Sequence, residues 1–192
     1  MCIRDRASCP VVTVCHEEGR TWEAPGLVRT IVCATDLTPS SAPTIRYALS
    51  LAAEFQGRLV LLHVLDGPAH PDNPLYAHHL PTAVAVLSQH EALARQQMRD
   101  AVAPDARAWC SVEERIVPGQ AYEEILRVAA QESADLIVMG TRRHGPIART
   151  VLGSTSQSVV RRASCPVVTV RVPANAGALD LTDAALATEV HA

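Results

Sequence analysis

The chain has 192 residues, 48% of them hydrophobic and 19% charged, with six aromatic residues and a formal net charge of −3. That length holds one domain of about 150 residues with extensions, and so few aromatics require a core of Val, Leu, Ile and Ala. The charge leaves no basic footprint for nucleic acid, and no run reaches the roughly 18 apolar residues that span a bilayer.

In chain order, the opening MCIRDR lacks the apolar stretch of a signal peptide. Nine residues, RASCPVVTV, then fill positions 6–14 and recur without change at 162–170, 156 positions later. After the first copy, HEEGRTWEAPG (residues 16–26) is polar and turn-rich, as a linker is. TIVCAT (30–35) is a first strand, and Thr38-Pro39 predicts a helix N-cap with proline at the first helical position. The helix that follows places Ile45, Ala48, Leu49 and Ala52 on one face.

RLVLLHV (58–64) is a second strand. Residues 66–81, with four prolines and three histidines, are a long irregular connection, and a helix over about 82–102 turns Leu87, Ala94, Met98 and Ala101 inward. A weaker strand over 109–117 carries Glu113, Glu114 and Arg115, the pattern of a sheet edge. The next helix groups Tyr122, Ile125, Leu126 and Ala129, and LIVM (136–139) is a further strand. The last helix groups Ser156, Val159, Val160 and Ala163, with Ser154-x-x-Gln157 as a capping box, and PVVTVRV (166–172) closes the series. Residues 173–192 are Ala-rich and polar, the composition of a mobile tail.

The strands are continuous apolar runs, as strands covered on both faces are. Their alternation with helices predicts an α/β fold, a doubly wound parallel sheet with helices on both faces. Six cysteines (Cys2, Cys9, Cys15, Cys33, Cys110, Cys165) show neither a C-x-x-C pair nor zinc spacing. Cys33 is read as a small buried hydrophobe, and the compartment as reducing and cytoplasmic. His70, His78, His79 and His90 have no carboxylate or cysteine at ligand spacing, so no metal is assigned.

Ligands of open α/β sheets bind beyond the carboxyl ends of the strands, where strand order reverses. The first strand runs into Ala34-Thr35-Asp36. The fourth runs into MGTRRHGP (139–146), a loop that ends at Gly153-Ser154-Thr155-Ser156 and a helix. Glycines, hydroxyls and a helix N-terminus favour an anion such as phosphate. Arg142 and Arg143 add charge, and a charge-assisted bond contributes roughly 1.5–3 kcal/mol. Plainer readings stand beside these: Asp36 as the start of a turn, Ser154 as an N-cap alone, and the two arginines as solvated loop charges.

MGTRRHGPIARTVLGSTSQSVVRRASCPVVTV resembles the C-terminal half of a universal stress protein domain, and IVCATDLTPSSAPTIRYALSLA with LVLLHVLD resembles its beginning. The resemblance implies an adenine nucleotide alpha hydrolase-like fold, a five-stranded parallel sheet in the order 3-2-1-4-5. It also implies ATP, with or without Mg2+, in the crevice between strands one and four. Asp36 would then bind ribose or adenine, with Ala34, Thr35 and Val64 framing the base. Met139, Gly140, Arg142, Arg143, Gly153, Ser154, Thr155 and Ser156 would line the phosphates.

The ATP-binding branch carries glycine, two residues, glycine, nine residues, then glycine and Ser or Thr. Gly140 and Gly153-Ser154 fit, but the second glycine place is Arg143. If a left-handed backbone is required there, arginine costs about 1–2 kcal/mol. Its side chain would either fill the phosphate channel or bind phosphate, and Gly145 offers a shifted turn.

Three functions follow: a nucleotide-binding stress-response module acting through dimerisation, a dimerisation module of the same fold without nucleotide, and a slow ATPase. The last lacks an evident group to orient water, and no catalytic residue is assigned. The second RASCPVVTV ends the last helix and enters the fifth strand, so the first is expected to be that element of an equivalent domain. The expected divisions are residues 1–15 as a remnant last strand, 16–26 as linker, 27–172 as the domain and 173–192 as tail, within a longer tandem protein. By the same resemblance fifth strands pair across a homodimer or tandem pair. Val11, Val12, Thr13 and Val14 are therefore expected to pair antiparallel with Val167, Val168, Thr169 and Val170.

Overall fold

The computed structural model describes residues 9–14, 28–65, 80–142 and 153–172. Six strands form one sheet: β1 (Val11–Thr13), β2 (Thr30–Thr35), β3 (Arg58–Leu65), β4 (Ser111–Pro118), β5 (Leu136–Arg142) and β6 (Val167–Val172). Five helices accompany them: α1 (Ala42–Glu54), α2 (Leu80–Ala101), α3 (Ala106–Trp109), α4 (Ala121–Gln131) and α5 (Ser154–Arg162). The spatial order is β1-β6-β5-β2-β3-β4. The expected 3-2-1-4-5 order is present as β4-β3-β2-β5-β6, all parallel, but the sheet has six strands rather than five. The sixth is β1, antiparallel on β6 with Val11 opposite Thr169, Val12 opposite Val168 and Thr13 opposite Val167.

Alternation of side chains across the sheet divides the core into two layers. On one face Ile31, Cys33, Leu59, Leu61 and Val138 pack with Ile45, Ala48, Leu49 and Ala52 of α1 and with Met98 of α2. On the other, Val32, Val60, Leu62, Ile137 and Met139 pack with Ile125, Val128 and Ala129 of α4 and Val159 and Val160 of α5. Cys33 is fully buried and the desolvation pushes its thiol up to about 12, so it behaves as an apolar side chain.

Several local expectations are corrected. Pro39 opens a single 3-10 turn, Pro39–Ser41, and α1 begins at Ala42, with no capping bond from the Thr38 side chain. In α2 it is Val102, not Ala101, that turns inward, because the residues just past the helix tuck beneath α3. Residues Leu80 and Pro81, expected in the connection, already belong to α2, while 66–79 and the side chain of Leu87 lie outside the described residues. Trp109 ends α3 and is exposed, so the fourth strand begins at Ser111.

β4 is a sheet edge, as its charges imply, and those charges are organised. Arg58 reaches Glu113 (2.9 Å) and Glu132 (2.7 Å), while Arg115 reaches the same two carboxylates at 2.6 and 3.0 Å. This closed ring of two cations and two anions ties β3, β4 and the end of α4 together. The hydrogen bond from Arg115 is the main cause that holds the Glu113 carboxyl below its ordinary range, with Arg58 adding to it. A depressed folded-state pKa stabilises above the unfolded value and loses that contribution as pH falls through the folded one. Glu113 is partly exposed, so Glu113→Gln is expected to lower stability by under about 1 kcal/mol at pH 7. Urea midpoints of the two chains should converge as the solution is acidified below the ordinary carboxylate range. Equal midpoints already at pH 7 would deny the ring any net contribution.

Candidate functional site

The chain leaves β2 toward β3 and β4 on one side, and returns to β5 and β6 on the other. The carboxyl ends of β2 and β5 are therefore neighbours whose following connections diverge, which opens a crevice between them. Ala34 lies opposite Met139, so Asp36 and the Gly140–Arg142 end of β5 reach the same end of the sheet. Asp135, just before β5, fixes this register from the other end of the strands. Its Oδ2 accepts the N–H groups of Arg29 (2.8 Å) and Thr30 (2.9 Å), and its own N–H donates to the Thr30 carbonyl (2.9 Å).

Past β2 the backbone turns sharply. The Leu37 N–H donates to Thr35 Oγ1 (3.1 Å), and Asp36 Oδ1 accepts the Thr38 N–H (3.1 Å) and hydroxyl (2.8 Å). Asp36 is thus an exposed carboxylate that also builds the turn. Leu37 is held at φ 55°, the left-handed region that a leucine rarely adopts. Neighbouring strands supply a ring nitrogen, His63 Nδ1, 2.9 Å from the Thr35 carbonyl oxygen. Val64 is half-buried on β3, one strand away from β5.

Gly140 is a strand residue here rather than a loop residue, since β5 continues to Arg142. A Cβ on Gly140 would stand 2.9 Å from Thr44 Oγ1 and 3.3 Å from Val172 Cγ2. The need for glycine is therefore met by the close approach of α1, and any contact Gly140 makes with a ligand falls to its backbone. The Ser156 hydroxyl lies 3.5 Å from the Gly140 carbonyl oxygen and joins the start of α5 to the end of β5.

Gly153, not Ser154, is the N-cap of α5, and no side chain caps it, so the expected capping box does not form. Ser154 is instead the first helical residue, its side chain exposed, followed by half-buried Thr155 and buried Ser156. The first-turn N–H groups of a helix have no intrahelical acceptor. A Cβ on Gly153 would meet nothing within 4 Å among the described residues. Arg143 and the rest of 143–152 lie outside the described residues, as does the side chain of Arg142.

Two nearby residues escaped the sequence reading. Thr44 is fully buried, and its hydroxyl has no hydrogen-bond partner among the described residues. His63 interrupts the apolar run that begins at Leu59. Each is a polar residue at a position the periodicity assigns to the interior, and that mismatch was the available signal.

The sheet order, the crevice at its reversal and the helix N-terminus beside it define a doubly wound α/β domain with an open switch point. The model of the universal stress protein family matches residues 28–171, and the chain belongs to that family. Universal stress protein MJ0531 of Methanocaldococcus jannaschii is 30% identical over 148 residues, 77% of this chain and 84% of that protein. The universal stress protein UspA from Lactobacillus plantarum superposes with a TM-score of 0.62 at 22% identity, covering 77% of this chain and 99% of that one. A universal stress protein solved in complex with cAMP superposes with a TM-score of 0.52 at 25% identity, over 77% of this chain and all of that one.

Gly140→Ala should cost about 1–3 kcal/mol, because the buried, β-branched Thr44 has little room to retreat. Adding Thr44→Ala should recover part of that loss, since it removes both the obstructing atom and a buried hydroxyl that has no partner among the described residues. Urea denaturation of the two single variants and the double one measures this. Additive losses would separate Gly140 from Thr44.

Proposed function

We propose that the domain, residues 27–172, binds an adenine nucleotide in the β2/β5 crevice and acts as a stress-response regulator through dimerisation. The observation that carries this reading is the meeting of Asp36, the end of β5 and the uncapped start of α5 at one reversal of strand order. Phosphate would lie against the first-turn N–H groups of α5, with Ser154, Thr155, Ser156, Arg142 and Arg143 around it. Ribose or base would lie against Asp36, between Ala34, Thr35 and Val64, with Met139 and Gly140 at the floor. The relative solved with cAMP supports an adenine nucleotide as the ligand class. ATP, with or without Mg2+, is the proposed occupant, and its role is regulatory binding rather than turnover. The free thiols of Cys9, Cys33, Cys110 and Cys165 suit a reducing, cytoplasmic setting.

One observation favours a second reading, a dimerisation module that takes no nucleotide: arginine stands at position 143, where the ATP-binding pattern has glycine. Melting with ATP, ATP plus Mg2+ and cAMP separates the two. A nucleotide present at 100 times its Kd stabilises by about 2.7 kcal/mol, a rise of roughly 5–10 °C for a domain of this size. Asp36→Asn keeps an oxygen to accept from Thr38 but loses the charge, and is expected to retain the melting temperature and lose most of the shift. A chain that no millimolar nucleotide shifts, and that carries none through native purification, follows the second reading. In that case Arg143→Gly should gain binding.

A further inference from the structure

The turn that follows β2 is held from two directions. Thr35 and Asp36 share one planar peptide unit, so whatever holds the Thr35 carbonyl oxygen also sets the plane from which Asp36 departs. The next residue, Leu37, has φ 55°, a left-handed conformation that a leucine disfavours. The turn therefore tends to rotate unless its bonds prevent it. Two holds are local: Thr35 Oγ1 accepts the Leu37 N–H (3.1 Å), and Asp36 Oδ1 accepts the Thr38 N–H (3.1 Å). Both lie within the turn, so neither ties it to the next strand.

His63 supplies a tie of another kind. It stands opposite Thr35 in the parallel pairing of β2 with β3. Leu59 and Leu61 face the α1 layer, against which Leu37 also packs, and alternation puts His63 on that same face. Its Nδ1 lies 2.9 Å from the Thr35 carbonyl oxygen. A carbonyl only accepts, so Nδ1 carries the proton, and in the neutral ring Nε2 is bare. Thr35 is buried and His63 half-buried, so water competes weakly for the bond.

We infer that His63 is a positioning residue of the crevice: by donating from Nδ1 to the Thr35 carbonyl it fixes the peptide plane that directs Asp36, and so sets nucleotide affinity. The effect on affinity rests on the proposed nucleotide reading, whereas the hold on the turn is independent of it. His63 needs no contact with the ligand in this role. It raises the fraction of chains whose turn is already in the binding conformation, and apparent affinity scales with that fraction.

Two variants of the full chain separate the bond from the bulk of the ring. His63→Leu keeps a branched side chain without a donor, and His63→Asn places an amide nitrogen where Nδ1 stands. Hydrogen exchange, which needs no ligand, is expected to quicken at Leu37 and Thr38 in His63→Leu and to slow again in His63→Asn. Exchange along residues 31–34 should stay unchanged, whereas a merely structural role would loosen the strand with the turn. In titrations with ATP and Mg2+, His63→Leu is expected to bind roughly tenfold more weakly, as the loss of one hydrogen bond implies. His63→Asn should bind nearly as the unaltered chain does. Nitrogen NMR of the unaltered chain in mildly alkaline solution, which needs no variant to fold, should show Nδ1 protonated and Nε2 bare. The opposite tautomer, or unchanged exchange at Leu37 and Thr38 in His63→Leu, would overturn the hold on the turn. Quickened exchange with undiminished ATP binding would overturn the positioning role. Quickened exchange in a protein that binds no nucleotide in any of the three forms would support the hold and overturn the nucleotide reading alone.

Discussion

β2 has to be hydrogen-bonded along both edges and covered on both faces, and most of the molecule answers to that requirement. Its edges are met by β3 and β5, both parallel to it, and parallel neighbours cannot be reached by a tight turn. Each neighbour therefore costs the chain a helical crossover, and the crossovers provide the two covering layers. The same arrangement forces the connections after β2 and β5 to part, so the crevice is a by-product of centring the sheet on one strand. The Asp135 carboxylate, which takes the first two N–H groups of the β2 segment, sets the register on which the facing of Ala34 and Met139 depends.

The site bears two kinds of demand at once. Asp36 accepts from Thr38 and holds a turn in which Leu37 takes up a left-handed backbone, while its exposed carboxylate stands at the crevice. Gly140 leaves space for Thr44 on one face of the sheet, and its carbonyl lies near Ser156 at the start of α5. Residues that look like ligand contacts in a motif are, in this fold, also structural parts. Loss of binding in an alanine variant of either would not separate the two roles, whereas Asp36→Asn, which preserves the turn acceptor, does.

β6 and β4 end the sheet in different ways. β4 is blunted by charge, with Glu113 and Arg115 engaged in the ring with Arg58 and Glu132, and Glu114 paired to Arg107 on the other face. β6 is rich in valine, and its first three residues, Val167–Thr169, are covered by another strand. An apolar strand with an open ladder is a template for pairing. A chain that places a copy of the same sequence on that ladder covers part of the exposed edge.

The strand runs at 30–35, 58–64 and 136–139, and the one-sided stripes of α1, α4 and α5, were legible in the sequence because burial on both faces and burial on one leave different periods. Asp36 and Gly153-Ser154 were legible too, as acidic and glycine-hydroxyl punctuation at the ends of such runs, and the long C-terminal stretch carried the family. Boundaries were less so: Trp109, Ala101 and the start of α1 were misplaced because the ends of elements are decided by what packs on them, and no local pattern records that. Only the tertiary structure decided that Gly140 is small to admit Thr44, that Ser154 begins a helix without capping it, and that the strand at Val11–Thr13 meets Val167–Thr169 in the register that sets Val12 opposite Val168. These are relations between residues tens to more than a hundred positions apart, and their energies come from contact across space. A sequence lists the groups available for such contacts, and folding alone determines which of them meet.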